Sequence, residues 1–123
     1  MARILVADDS DFMRTALRGV LRQKNHEVLE ASDGVEAVSN YRKERPDLVT
    51  MDITMPNKDG IDAAREILQE DRSAKIIMVT ALGQQSVMRK AIEMGILEFI
   101  VKPFTPEKVW EVVDRVLKEE ELS

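Results

Sequence analysis

Asp8, Asp9, Asp52, Thr80 and Lys102 each stand at the end of a short apolar run, and together they are a set suited to phosphate chemistry. Three carboxylates gathered in one small site repel one another and disfavour ionisation. A hard divalent cation relieves that repulsion. An all-oxygen ligand set suits magnesium, which keeps several of its waters and favours a phosphate partner. An ionised carboxylate in such a site can attack a phosphoryl group to give an acyl phosphate. The metal and the lysine ammonium then offset charge spread over the equatorial oxygens, and the threonine hydroxyl can donate to one of them. Any single aspartate here, Asp11 included, could simply cap a following helix. Polar ends on four otherwise apolar runs are what carries the signal.

The runs that deliver these residues are 4–7, 28–31, 48–51, 76–79 and 99–101. They are short, β-branched and nearly continuous rather than alternating, which predicts parallel strands buried on both faces. Segments of helical period lie between them. Residues 11–24 place Met13, Leu17, Val20 and Leu21 on one stripe, and Val35, Val38 and Tyr41 repeat after the Asp33-Gly34 turn. Residues 61–71 carry Ile61, Ala64, Ile67 and Leu68, and 85–94 stop at Gly95, a natural helix end. The last helix has Thr105 as cap and Pro106 at its first position, with Val109, Val112, Val113, Val116 and Leu117 facing inward. Its outer face pairs Glu111 with Arg115 and Asp114 with Lys118. Five β-α units predict an α/β fold, a doubly wound five-stranded parallel sheet with helices on both faces. In the flavodoxin-like strand order 2-1-3-4-5 the first and third strands are neighbours. Asp8, Asp9 and Asp52 then converge beyond the carboxyl ends of the strands, where such sheets bind ligands.

Composition narrows the functional classes. A length of 123 residues suits one domain over 1–123. The net charge of −5 argues against a nucleic-acid partner, which would require clustered Lys and Arg. With no cysteine there is no disulfide, thiolate nucleophile or cysteine metal site. The single histidine, His26, rules out a multi-histidine metal centre and reads as a surface residue in a turn. No apolar run approaches the roughly 20 residues of a membrane span. Asp8, Asp9 and Asp11 interrupt the N-terminal stretch where a secretory signal would continue apolar. A cytoplasmic protein without a membrane partner is expected.

Asp8-Asp9, the segment Asp52-Ile53-Thr54-Met55-Pro56 followed by Asp59-Gly60, Thr80-Ala81 and Lys102-Pro103-Phe104 together resemble the receiver domain of two-component response regulators. The match covers essentially the whole chain, in order and spacing. Single-domain length, Gly83-Gln84-Gln85 and the stretch from Phe99 to Phe104 are most similar to its chemotaxis, CheY-like branch. The resemblance implies that Asp52 is the phosphoacceptor. It implies Mg2+ held by Asp8, Asp9, Asp52 and the backbone carbonyl of Thr54, with Lys102 on the phosphoryl group and a cis Lys102–Pro103 bond. It also implies that Thr80 shifts toward the phosphate and lets Phe99 turn inward, where many relatives carry Tyr. Thr54 and Leu82 flank the site at positions that vary among relatives.

On that resemblance the chain is expected to be a monomeric signalling switch rather than an enzyme, catalysing only its own phosphorylation and dephosphorylation. A histidine kinase of the chemotaxis type would be the donor, and a flagellar motor switch or a phosphatase the downstream partner. The output surface would be the fourth helix, fifth strand and fifth helix, with Met88, Arg89, Lys90, Phe99 and Trp110 as candidates. Rival readings are a phosphorelay intermediate serving a histidine phosphotransfer protein and a scaffold independent of phosphorylation. A haloacid-dehalogenase-type phosphatase would carry a second aspartate where Thr54 stands. A dinucleotide-binding module would carry a Gly-rich turn where Asp8-Asp9-Ser10 stands.

Overall fold

A computed structural model describes residues 1–81 and 85–122, the last four of these as backbone only. Leu82, Gly83 and Gln84, singled out above, lie outside the described residues. Strands β1 (Arg3–Ala7), β2 (Glu27–Ala31), β3 (Leu48–Asp52), β4 (Ile76–Ala81) and β5 (Phe99–Lys102) alternate with helices. The helices are α1 (Asp11–Arg22), α2 (Gly34–Glu44), α3 (Gly60–Glu70), α4 (Gln85–Glu93) and α5 (Pro106–Leu122). Every strand pairing is parallel, and the order is β2-β1-β3-β4-β5, as predicted.

Successive side chains of a strand leave on opposite faces, so each strand feeds two cores. Leu5, Ala7, Val49, Met51 and Met78 meet α2, α3 and α4, which add Tyr41, Ile61, Ile67 and Ala91. Ile4, Val6, Leu48, Ile77, Val79 and Ile100 meet Leu17 and Leu21 of α1 and four valines of α5. The central strands are dry. The edge strands β2 and β5 keep half-exposed residues, because each lacks a neighbour on one side.

Four helices begin on the loops at the carboxyl edge of the sheet with a side-chain cap. Ser10 Oγ accepts from Met13 N–H at 3.2 Å, Asp33 and Asp59 accept from Glu36 and Asp62 N–H at 2.8 Å each, and Thr105 Oγ1 accepts from Lys108 N–H at 3.2 Å. These caps satisfy orphan helix donors and fix the loops that bear the site. The cap of α1 is Ser10, so Asp11 only occupies its first turn. Gly95 ends the α4 segment at φ +95°, the left-handed geometry expected of a helix stop.

Two sequence readings are corrected. Val35 is 52% exposed, because the buried stripe of α2 runs through Gly34, Ala37, Val38 and Tyr41. A series spaced i, i+3, i+6 drifts about 60° per step on a 3.6-residue helix, so its first member falls off the stripe. His26 is half-buried rather than a surface residue. Its Nδ1 accepts the Ala2 backbone N–H at 3.1 Å, and burial holds its pKa below the usual value.

Candidate functional site

β1 and β3 are neighbours, with Ala7 opposite Met51, so the next residue of each, Asp8 and Asp52, emerges at the same point. Asp8 is 1% exposed and Asp52 8%, while Asp9 faces solvent. Carboxylate oxygens of the three lie within 4.8 Å of one another. Lys102 reaches in from β5, two strands away from β3. Its Nζ donates to Asp8 Oδ2 at 3.0 Å and to Asp52 Oδ2 at 3.3 Å. The ammonium bridges the two buried carboxylates. A phosphoryl group arriving at Asp52 would therefore meet a cation already in place.

The electrostatics follow from this crowding. Burial raises the Asp52 pKa above the usual carboxylate value, and the charge of Asp8 adds to the rise, against the opposing pull of Lys102. Burial alone would depress Lys102, but its hydrogen bond to Asp8 and the charges of both aspartates outweigh it and leave its pKa raised. An all-carboxylate donor set gathered within 4.8 Å has the chemistry of a hard-cation site.

The loop after Asp52 is folded back on it by Gly60. A Cβ there would sit 2.0 Å from the Asp52 carbonyl oxygen, and the Gly60 N–H donates to Ile53 O at 2.7 Å. Thr54 lies on this loop, and its backbone N–H bonds the Asp52 carboxylate. Farther along, Asn57 turns at φ +67° and its amide donates to Asp33 Oδ2 at 2.7 Å. A Cβ on Gly34 would meet Lys58 O at 2.0 Å, so α2 and this loop approach closely. The Lys102–Pro103 bond is cis.

Sequence reasoning missed Arg14 and Glu30. Arg14 Nη1 donates to the Asp8 carbonyl at 2.6 Å and Nε to Glu30 Oε1 at 3.2 Å, and the guanidinium also pairs with Asp11. Arg18 donates to the other Glu30 oxygen at 2.7 Å. Asp8 Oδ1 in turn accepts the Ser10 N–H at 2.9 Å. A usable signal was present: Glu30 is the one charge inside the apolar run 28–31.

Thr80 is fully buried, and its hydroxyl donates to the Ala81 carbonyl at 3.2 Å. Met78 pairs with Phe99 and Thr80 with Val101, so Thr80 and Phe99 are diagonal neighbours on one face of the sheet. Phe99 and Met88 pack half-buried against the α2–α4 core. Lys90 and Arg89 are exposed. Met88 and Lys90, two residues apart, point about 160° away from each other and form no single patch. Trp110, expected on the output surface, is instead turned to α1. Its Nε1–H donates to Val20 O at 2.7 Å, and Lys24 Nζ stands 4.6 Å above the ring. The outward flank of α5 is that of Lys108, Glu111 and Arg115, where the predicted Glu111–Arg115 pair forms at 3.6 Å.

Residues 4–114 match the family model of the response regulator receiver domain. The chain is 53% identical over 118 residues to protein CcdB of Bacillus subtilis, covering 95% of this chain and 98% of that protein. It is 48% identical over 117 residues to the chemotaxis protein CheY of Thermotoga maritima, covering 94% and 98%. Among solved structures, the CheX–CheY–BeF3–Mg2+ complex of Borrelia burgdorferi superposes with a TM-score of 0.87 at 36% identity, covering 93% of this chain and 87% of that one. No helix among the described residues is long and apolar enough to cross a membrane.

Proposed function

Because the chain belongs to the response regulator receiver domain family, we propose that residues 1–123 act as one phosphorylation switch in which Asp52 accepts a phosphoryl group from a histidine kinase. One observation carries the reading: the Lys102 ammonium lies within 3.3 Å of both Asp8 and Asp52, with Asp9 alongside. An Asp52 oxygen forms the new O–P bond while the donor's N–P bond breaks and its imidazole leaves. Lys102 stays close enough to neutralise the developing charge. Asp8, Asp9, Asp52 and the Thr54 carbonyl would hold Mg2+, and the donor set fits it. When bound, the ion would supply positive charge to offset that of the clustered carboxylates. Water attack on the acyl phosphate releases inorganic phosphate and resets Asp52.

The bound phosphoryl adds about −1.5 to −2 charge beside Thr80 and Lys102. To donate to it, the Thr80 hydroxyl leaves the Ala81 carbonyl, and its neighbour Phe99 turns into the space on that face. Moving such an equilibrium from 1:99 to 99:1 requires about 5.5 kcal/mol of differential stabilisation, the scale of a few charge-assisted hydrogen bonds. Phe99, Met88 and the exposed Ile92 and Val101 then present the altered surface. The chemotaxis names of the relatives support a role in flagellar control, with a motor switch or a phosphatase as the reader of a monomeric, cytoplasmic switch.

The test is incubation with acetyl phosphate, with and without Mg2+, beside Asp52→Asn, read by intact mass. Addition of one phosphoryl group that requires both Mg2+ and Asp52 is expected. No addition to folded wild type would favour a scaffold that signals without phosphorylation.

A further inference from the structure

At the amino edge of the sheet, opposite the carboxylates, a groove runs between α3 and α4. One part, about 500 Å³, is lined by Arg65, Leu68, Gln69, Arg72 and Met94. An adjoining part of about 440 Å³ shares Leu68, Arg72 and Met94 and continues to Lys75 and Leu97. Its floor is apolar. Leu68 and Met94 rest half-buried on the core, and Leu97 is 74% exposed at the end of the groove.

The rim is cationic in a chain whose net charge is −5. Arg65 pairs with Asp62, one turn back at 2.9 Å. Arg72 and Lys75 have no acidic partner among the described residues. Glu66 and Glu70 turn to Arg42 on the far flank of α3. Glu98 lines the second part of the groove, but its carboxylate is held by Arg115 through two bonds of 3.0 and 2.8 Å.

We propose that this groove docks an acidic amphipathic helix of a partner protein. The rim complements carboxylates, and the floor takes apolar anchors spaced one turn apart, the recognition mode of a helix laid in a groove. Arg65 and Gln69 lie one turn, about 6 Å, apart on α3, and Arg72 extends the rim into the turn beyond the end of that helix. A nucleic acid is disfavoured on two counts. No aromatic side chain lines the groove among the described residues, and so few cations make few phosphate contacts. The inference does not rest on phosphorylation at Asp52, because a helix seated at the amino edge leaves the carboxyl edge open.

The probe is a fluorescein-labelled 14-residue helical peptide with leucines at i, i+4 and i+7 and glutamates on both flanks. Its anisotropy is read against wild type, Arg72→Glu/Lys75→Glu, Leu97→Asp and Asp52→Asn, all confirmed folded by circular dichroism. Saturable binding is expected, weakened at least tenfold by the double charge reversal and several-fold by Leu97→Asp, and unchanged in Asp52→Asn. Amide shifts on binding should fall in 65–75 and 94–98. Three results would overturn the proposal: no binding up to 1 mM peptide, affinity within twofold in the double variant, or tighter binding of a dT12 oligonucleotide at the same amides.

Discussion

α4 and α5 pack on opposite faces of the same end of the sheet, and they are held there very differently. α5 sinks Val109, Val112, Val113 and Val116 into the core, none more than 4% exposed. It is further pinned by the Trp110 bond to α1 and by Arg115 on Glu98. α4 buries one residue, Ala91, and leaves Val87 and Met88 half-covered. A fully buried valine contributes about 1.5–3 kcal/mol, and a methyl group far less. Under the proposed switch, a charge change worth a few kcal/mol at Asp52 is expected to displace α4 rather than α5. Elements that must move are drawn from the weakly held end of a structure.

The largest contrast should come from truncation. Val113→Ala is expected to lower stability by about 2 kcal/mol, and Met88→Ala by less than about 1 kcal/mol, both read from urea denaturation. Equal losses would remove the distinction between the helices. Next, Trp110→Phe should cost about 1 kcal/mol, through the lost indole bond to Val20 and the Lys24 contact, without changing phosphoryl uptake. A loss of uptake would mean that α5 belongs to the switch after all.

A smaller effect of opposite sign is expected beneath α1 and α5. Thr50 Oγ1 is buried and has no hydrogen-bond partner among the described residues. Thr50→Val should leave stability unchanged or raise it by up to about 1 kcal/mol, since it removes an unsatisfied hydroxyl at constant shape.

The smallest effect concerns α2 and α3, which are tied by polar contacts. Asp71 accepts from Ser73 Oγ and from Tyr41 Oη, each at 2.7 Å, and pairs with Arg45 at 3.2 Å. These hold its carboxyl below the usual carboxylate range, the Ser73 bond most. A depressed folded pKa contributes stability above the unfolded value of about 3.9, lost as pH falls through the folded one. Melting temperatures of wild type and Asp71→Asn should therefore differ at pH 7 and converge as pH falls below the usual carboxylate range.

What was legible in the sequence divides along physical lines. Continuous apolar runs and polar strand ends report burial and strand termination directly, so the five units and the convergence of Asp8, Asp9, Asp52 and Lys102 could be read. Close approaches could not. The need for glycine at 34 and 60 depends on backbone from a different segment, Lys58 and Asp52. Trp110 sits about 100° from Val109, on the border of the inward stripe, and only the arrival of α1 decides which side it serves. Arg14 acts on Asp8 through a backbone carbonyl, a contact that leaves no trace in residue spacing.

Hydrogen exchange followed by mass spectrometry, with acetyl phosphate and Mg2+ on wild type and Asp52→Asn, tests the central claim most directly. Altered exchange is expected in 85–101 of wild type alone, with 106–118 unchanged in both proteins. Wild type shown by mass to carry the phosphoryl group, yet unchanged in 85–101 or changed equally in α5, would contradict the account.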